Sequence, residues 1–383
     1  MRLTFSLFFF TFFIELSESF QNPVPSKNSQ YSTKLFSNSI SEKSMSSETD
    51  SLEFVNGVEQ VLKSKTYNTF LLDMWGVMHD GSKPYEGVLN TVSKLRKNDM
   101  NLVILSNSSK RKSNSIKMLT KLGFDPEKDF EQIITSGEVA YQMLAGNKDL
   151  PCEIWPVLTQ ISKDERKVFV FGSGDGDEEY CTSCGWTLAP ISEANLILAR
   201  GTFTINNGNM DDTVSKKIDG EDAYFKEHDR ILEIASSRKI PMLISNPDKV
   251  RPDKGLPPMP GAIGDAYEKT LGGGSEATAL VKRIGKPFSE VYEIALKNKD
   301  PAEACMVGDA LETDVTGGTS FGCDTLWVIK DGIHAPTVLS EETKCNEDYE
   351  EKVGAALQTF NDLKRHSGDK RLSPTFIVPH FRW

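Results

Sequence analysis

The stretch Leu71-Leu72-Asp73-Met74-Trp75-Gly76-Val77-Met78-His79-Asp80-Gly81 decides the fold. The run leading into it, Tyr67 to Leu72, is largely apolar and rich in strand formers, and it stops at an acid soon followed by glycine. That pattern predicts a buried parallel strand carrying the Asp73 carboxylate at its carboxyl end, where open α/β sheets place their ligands. A carboxylate there can be a nucleophile toward phosphorus, a metal ligand, or both. An isolated acid at a strand end more often caps a helix. Three later elements, in a fixed order, change that reading.

The first is Asn101-Leu-Val-Ile-Leu-Ser-Asn107, a second buried strand that ends on Ser106 and Asn107. A short hydroxyl or amide there can donate to a phosphate oxygen, or simply cap the following helix. The second is Gly285-Lys286-Pro287-Phe288, where a lysine on a constrained backbone precedes a helical stretch, 289–296. Lysine supplies a point charge for phosphate or carboxylate. The third is Ala304 to Asp314, a strand closing on Gly308 with Asp309 and Asp314 beyond it. Two acids facing Asp73 make an oxygen-rich site for a hard divalent cation such as Mg²⁺.

Taken in order, Asp73, Ser106, Lys286, Asp309 and Asp314 resemble the haloacid dehalogenase superfamily. The wide gap between the second and third motifs resembles its class II, with a cap inserted there. ITSGE at 134–138, SNPDK at 245–249, GKPFSEVYEIAL at 285–296 and VGDALETD at 307–314 resemble subclass IIA, the nitrophenylphosphatase-like and sugar-phosphate phosphatases. The resemblance implies an α/β protein with a Rossmann-like parallel-sheet core and an inserted α/β cap. It implies Asp73 as the nucleophile that forms an aspartyl phosphate, and Mg²⁺ held by Asp73, Asp309 and the backbone carbonyl of Trp75. Asp314 would orient metal-bound water or Lys286, while Ser106, Asn107 and Lys286 would bind the phosphoryl oxygens of a small phosphorylated substrate. Positioning and charge neutralisation are what phosphoryl transfer asks of a protein.

Trp75 departs from the family pattern. Phosphatases of this superfamily carry a second aspartate at that position, which protonates the leaving oxygen and then activates water. An indole does neither, and the lost acid–base group is typically worth about 10²–10⁴-fold in rate. His79 in the same loop is the candidate substitute, since imidazole trades protons near neutrality. The alternative function is a weak or inactive protein that binds a phospholigand on the same fold. Arg200, at the end of a cap strand, is a candidate for a substrate anionic group.

The chain has 383 residues, 38% of them hydrophobic, and a net charge of −11 without a basic block in its body. Such a balance argues against a general nucleic-acid binder. Arg2 and the phenylalanine-rich run Leu3 to Ile14 predict a signal peptide over residues 1–19, and the acid-free, serine-rich segment after it predicts a transit-like presequence over 20–50. Together they resemble bipartite presequences of algae with secondary plastids; secretion or an endomembrane lumen is the alternative. No stable membrane insertion is expected after processing, and a homodimer is allowed for. The expected layout is core over 51–136 and 246–345, cap over 137–245, and a tail over 346–383. Cys181 and Cys184 are read as two ordinary loop cysteines, and GSGDGDEE at 172–179 as a polar surface turn.

Overall fold

The computed structural model describes residues 52–174, 176–208, 212–251, 257–338, 347–366 and 372–383. The expected signal and transit segments therefore lie outside the described residues. In chain order the first four strands are β1 (Glu53–Phe54), β2 (Thr69–Leu72), β3 (Asn101–Ser106) and β4 (Gln132–Thr135). Seven more follow: β5 (Lys167–Gly172), β6 (Thr187–Leu188), β7 (Leu196–Ala199), β8 (Thr204–Asn206), β9 (Thr213–Ser215), β10 (Met242–Ile244) and β11 (Val281–Arg283). The last three are β12 (Ala304–Gly308), β13 (Asp324–Val328) and β14 (Phe376–Val378).

These strands form two sheets. The first runs β1-β14-β13-β12-β2-β3-β4 and every pair in it is parallel. Its strands β2 and β12 are buried throughout, as continuous apolar runs covered on both faces must be. The second runs β11-β10-β7-β5-β8-β9, with β6 paired to β5. Apolar side chains of both sheets, among them Leu71, Val103, Leu105, Val168, Val170 and Leu243, share one buried cluster, so the two units pack as neighbours.

Two expected boundaries move. The second sheet does not stop at 245: β11 pairs in register with β10, and helix 260–270 packs on helix 221–238, so residues up to about 283 belong with it. The cause is hydrophobic burial, because Ile263, Tyr267 and Val281 fill the same cluster as Tyr224 and Ile231. The expected tail is also part of the first sheet. β14 inserts between β1 and β13, and helix 347–366 buries Val353, Leu357 and Phe360 against Trp327 and Ile377. No helix among the described residues is long and apolar enough to cross a membrane.

Candidate active site

The carboxyl ends of β2, β3 and β12 converge because these strands are adjacent and parallel. Beyond them lies a cavity of about 580 Å³ between the two sheet units. Asp73, Trp75, His79, Ser106, Asn107, Arg200, Lys286, Asp309 and Asp314 all line it.

Lys286 is the electrostatic centre. Its Nζ lies 2.5 Å from Asp73 Oδ1 and 2.7 Å from Asp314 Oδ1, and its side chain is buried. Asp314 Oδ2 accepts the backbone N–H groups of Asp309 and Ala310, both at 3.1 Å. With both oxygens engaged, Asp314 orients the lysine and the turn. Asp309 Oδ2 accepts the N–H of Ile333 at 2.7 Å, which fixes that carboxylate toward Asp73. Close backbone approach makes this packing possible. A Cβ at Gly76, which has φ +78°, would stand 2.2 Å from Asp309 Oδ2, and one at Gly308 would meet Asp314 at 2.1 Å.

Asp73, Asp309 and Asp314 each place one oxygen so that all three lie within 4.8 Å of one another. Burial, with Asp314 and Asp73 beside it, pushes the Asp309 carboxyl well above its usual range. Burial likewise raises Asp314 to about 6 against the pull of Lys286, and raises Asp73. Burial opposes the charge of Lys286, but Asp314 and Asp73 outweigh it and hold the lysine protonated. Three crowded carboxylates facing one ammonium leave a negative excess that a divalent cation fits.

Several expected residues do something other than what their type suggested. Asn107 was expected on the substrate; its side-chain amide is instead occupied within the protein. Its Oδ1 accepts the N–H of Lys286 at 2.7 Å, while its Nδ2 donates to the Lys286 carbonyl at 3.0 Å and to Asp248 Oδ1 at 2.7 Å. Asn107 thus locks the lysine loop. Ser106 is not a helix cap, since the next helix starts at Lys112; its Oγ accepts the N–H of Ser108 at 3.3 Å and faces the cavity. Arg200 is neither free nor superficial. It is buried, paired with Asp177 and stacked 4.2 Å from the Tyr180 ring centre. Asp177 belongs to GSGDGDEE, so that segment is a buried anchor at this residue and not a surface turn. Cys181 lies in helix 177–183 and Cys184 caps it; both are buried, so neither is an ordinary loop cysteine, and burial raises the Cys184 thiol to about 11.

His79 departs most from expectation. It is 2% exposed, and its Nδ1 accepts the Gly81 N–H at 2.9 Å. The ring proton therefore sits on Nε2, which is sealed from solvent and has no partner among the described residues. A second proton would set two donors against each other at Nδ1, and burial lowers the affinity for it further. That geometry fits a neutral ring bracing the loop, not a proton carrier. The Trp75 indole, 38% exposed, meets this ring edge-on at 5.9 Å and packs over Gly81.

Asp248 went unassigned in the sequence. It lines the cavity, and burial raises its carboxyl to about 6 despite the Asn107 bond. Its segment, Ser-Asn-Pro-Asp-Lys, reads as a turn, and nothing local signals a partner at position 107.

Two family descriptions match the chain: haloacid dehalogenase-like hydrolase over residues 70–187 and HAD-hydrolase-like over 283–354. It is 26% identical to a 4-nitrophenylphosphatase of Schizosaccharomyces pombe, over 65% of this chain and 78% of the relative. It is 25% identical to phosphoglycolate phosphatase 2 of Arabidopsis thaliana, over 74% and 89%. Among solved structures, a haloacid dehalogenase-like hydrolase from Brucella suis 1330 superposes with a TM-score of 0.58 at 19% identity, covering 86% of this chain and all of that one. At that identity the superposition speaks for the fold alone.

Proposed function

We propose that the chain, a phosphoric monoester hydrolase of the haloacid dehalogenase superfamily in its nitrophenylphosphatase-like class IIA, cleaves a small phosphorylated metabolite through an aspartyl phosphate on Asp73 with Mg²⁺ as cofactor. The observation that carries the reading is the Asp73–Lys286–Asp314 chain beside Asp309. Asp73 and Asp309 would hold the ion with the Trp75 carbonyl, and Asp314 would hold the lysine and the turn in register. When bound, Mg²⁺ supplies positive charge to the phosphoryl oxygens.

The chain's own residues account for the rest. Lys286 holds Asp73 Oδ1, and the Asp73 carboxylate lines the cavity as the nucleophile. The lysine and the Ser106 hydroxyl neutralise and orient the phosphoryl group. The activities named for the relatives favour this reading over a binding-only protein. The full chain should release phosphate from 4-nitrophenyl phosphate in Mg²⁺, and Asp73→Asn should abolish release while the circular dichroism spectrum stays native. Release that survives in the variant, or in excess EDTA, refutes the proposal.

A further inference from the structure

We propose that the substrate is a phosphate ester of an acidic, planar hydroxyl, a phenol- or enol-type oxygen, and not of an ordinary sugar or alkyl alcohol. This rests on Asp73 as nucleophile and extends that reading to the leaving group. When an Asp73 oxygen attacks phosphorus, the P–O(Asp73) bond forms and the bond to the leaving oxygen breaks, with its electron pair staying on that oxygen. An alkoxide needs a proton at that moment; a phenolate or enolate needs little and collects one from water afterwards. Water then attacks phosphorus, the P–O(Asp73) bond breaks to return the carboxylate, and the water proton leaves to solvent.

The loop beside the nucleophile is built without a proton to give. Position 75 is an indole. His79 is held neutral by the Gly81 N–H, with Nε2 sealed away. Asp80 is held ionised near 2 by the N–H groups of Lys83 and Ser82 and the Ser82 hydroxyl. Asp248, on the other side of the cavity, has only Oδ1 engaged by Asn107 and a carboxyl that burial raises to about 6, so its variant belongs in the test. A second observation concerns shape. Trp75 and Phe203, 38% and 47% exposed, are large aromatic side chains that line the cavity from opposite sheet units, with Met118 and Met259 nearby. Exposed ring faces suit a planar apolar leaving group, and the Arg251 guanidinium, 6.0 Å from the Phe203 ring centre, adds a cation beside that face.

The test is a leaving-group series on the full chain in Mg²⁺: 4-nitrophenyl phosphate, phenyl phosphate, glycerol 3-phosphate and hexafluoroisopropyl phosphate. We expect kcat/KM to fall by at least about 10²-fold from the nitrophenyl to the glycerol ester, within the usual reach of a missing general acid. Trp75→Asp should raise the glycerol ester about tenfold or more and narrow that span. Phe203→Ala should raise KM for aryl esters more than for glycerol 3-phosphate, and it decides the matter if the Trp75 variant does not fold. A flat series overturns the proposal, and one that Asp248→Asn turns steep assigns the missing proton to Asp248. Hexafluoroisopropyl phosphate, whose alcohol is about as acidic as a phenol but tetrahedral at carbon, would overturn the planar requirement by matching the aryl esters in KM. Silence on every ester would instead remove the phosphatase reading itself.

Discussion

On the first-sheet side of the cavity each central charge answers another: Asp73 and Asp314 hold Lys286, the Asp309 and Ala310 amides hold Asp314, and the Ile333 amide holds Asp309. On the second-sheet side the buried pair Arg200 with Asp177 anchors the end of β7, and beyond it the wall runs through Gly201, Thr202, the half-exposed ring of Phe203 with Arg251 over it, and Lys249, which is paired with Asp265. The first side is a closed polar network in which each member depends on its neighbours. The second is a packed scaffold on which Phe203 lines the cavity outside that network. On the proposed reading the reaction belongs to the first and the choice of leaving group to Phe203 on the second, together with Trp75, which stands on the first side but presents an apolar face.

The sharpest way to break this contrast is Lys286→Ala. It strands Asp73 and Asp314 beside each other, and kcat/KM on 4-nitrophenyl phosphate should drop by about 10²–10³-fold, as for other electrostatic groups at a reacting centre. A loss under tenfold would mean the network does not govern the chemistry. Arg200→Ala tests the other side through stability, since it leaves Asp177 buried and unpaired. Urea unfolding should show a loss of about 3–5 kcal/mol. If the loss instead fell on KM with stability intact, Arg200 would be a substrate contact and the contrast would fail. Gly76→Ala carries a smaller effect: the left-handed backbone and the contact with Asp309 should cost about 1–3 kcal/mol. It should also raise the Mg²⁺ concentration needed for half-maximal activity.

The smallest effect concerns Asp248. Its carboxyl is raised by burial from an ordinary value near 3.8 to about 6, so the folded state binds its proton more tightly than the unfolded chain does. That contribution is full below 3.8 and is lost as pH rises through 6. In EDTA, wild-type Tm should therefore fall more between pH 4.5 and 7.5 than that of Asp248→Asn. Parallel Tm profiles would place Asp248 in a less confining environment than the Asn107 contact implies.

Much of the first side was legible in the sequence because strand-end chemistry is local. An apolar run that ends in Asp73, another in Ser106 and a third in Gly308-Asp309 each declare themselves within a few residues. What escaped was pairwise and distant. The Asn107–Asp248 bond joins residues from different crossings between the sheets, and β11 and β14 are short segments whose partners lie far along the chain. Asp177 looked superficial because its neighbours are glycine and acids; its burial rests on Arg200 opposite it and on the N–H groups of Ser173 and Gly174, which it accepts. His79 was misjudged for a related reason. Residue type suggests a proton carrier, but the direction of one backbone N–H determines which ring nitrogen can carry a proton.

The insertion of β14 between β1 and β13 has a kinetic consequence. Glu53 pairs with Phe376 and Leu326 with the same residue; β13 already has β12 beside it, but the edge strand β1 must wait for a segment made long after it. Contacts of such sequence separation form late, because the loop entropy must be overcome before the pairing rewards it. The second sheet, drawn from one continuous stretch between β4 and β12, has no such delay. During synthesis it can mature while β2 holds Asp73 at the end of an unfinished sheet. The charges that make the site therefore meet only when the flanking halves of the chain close around an insert that is already folded.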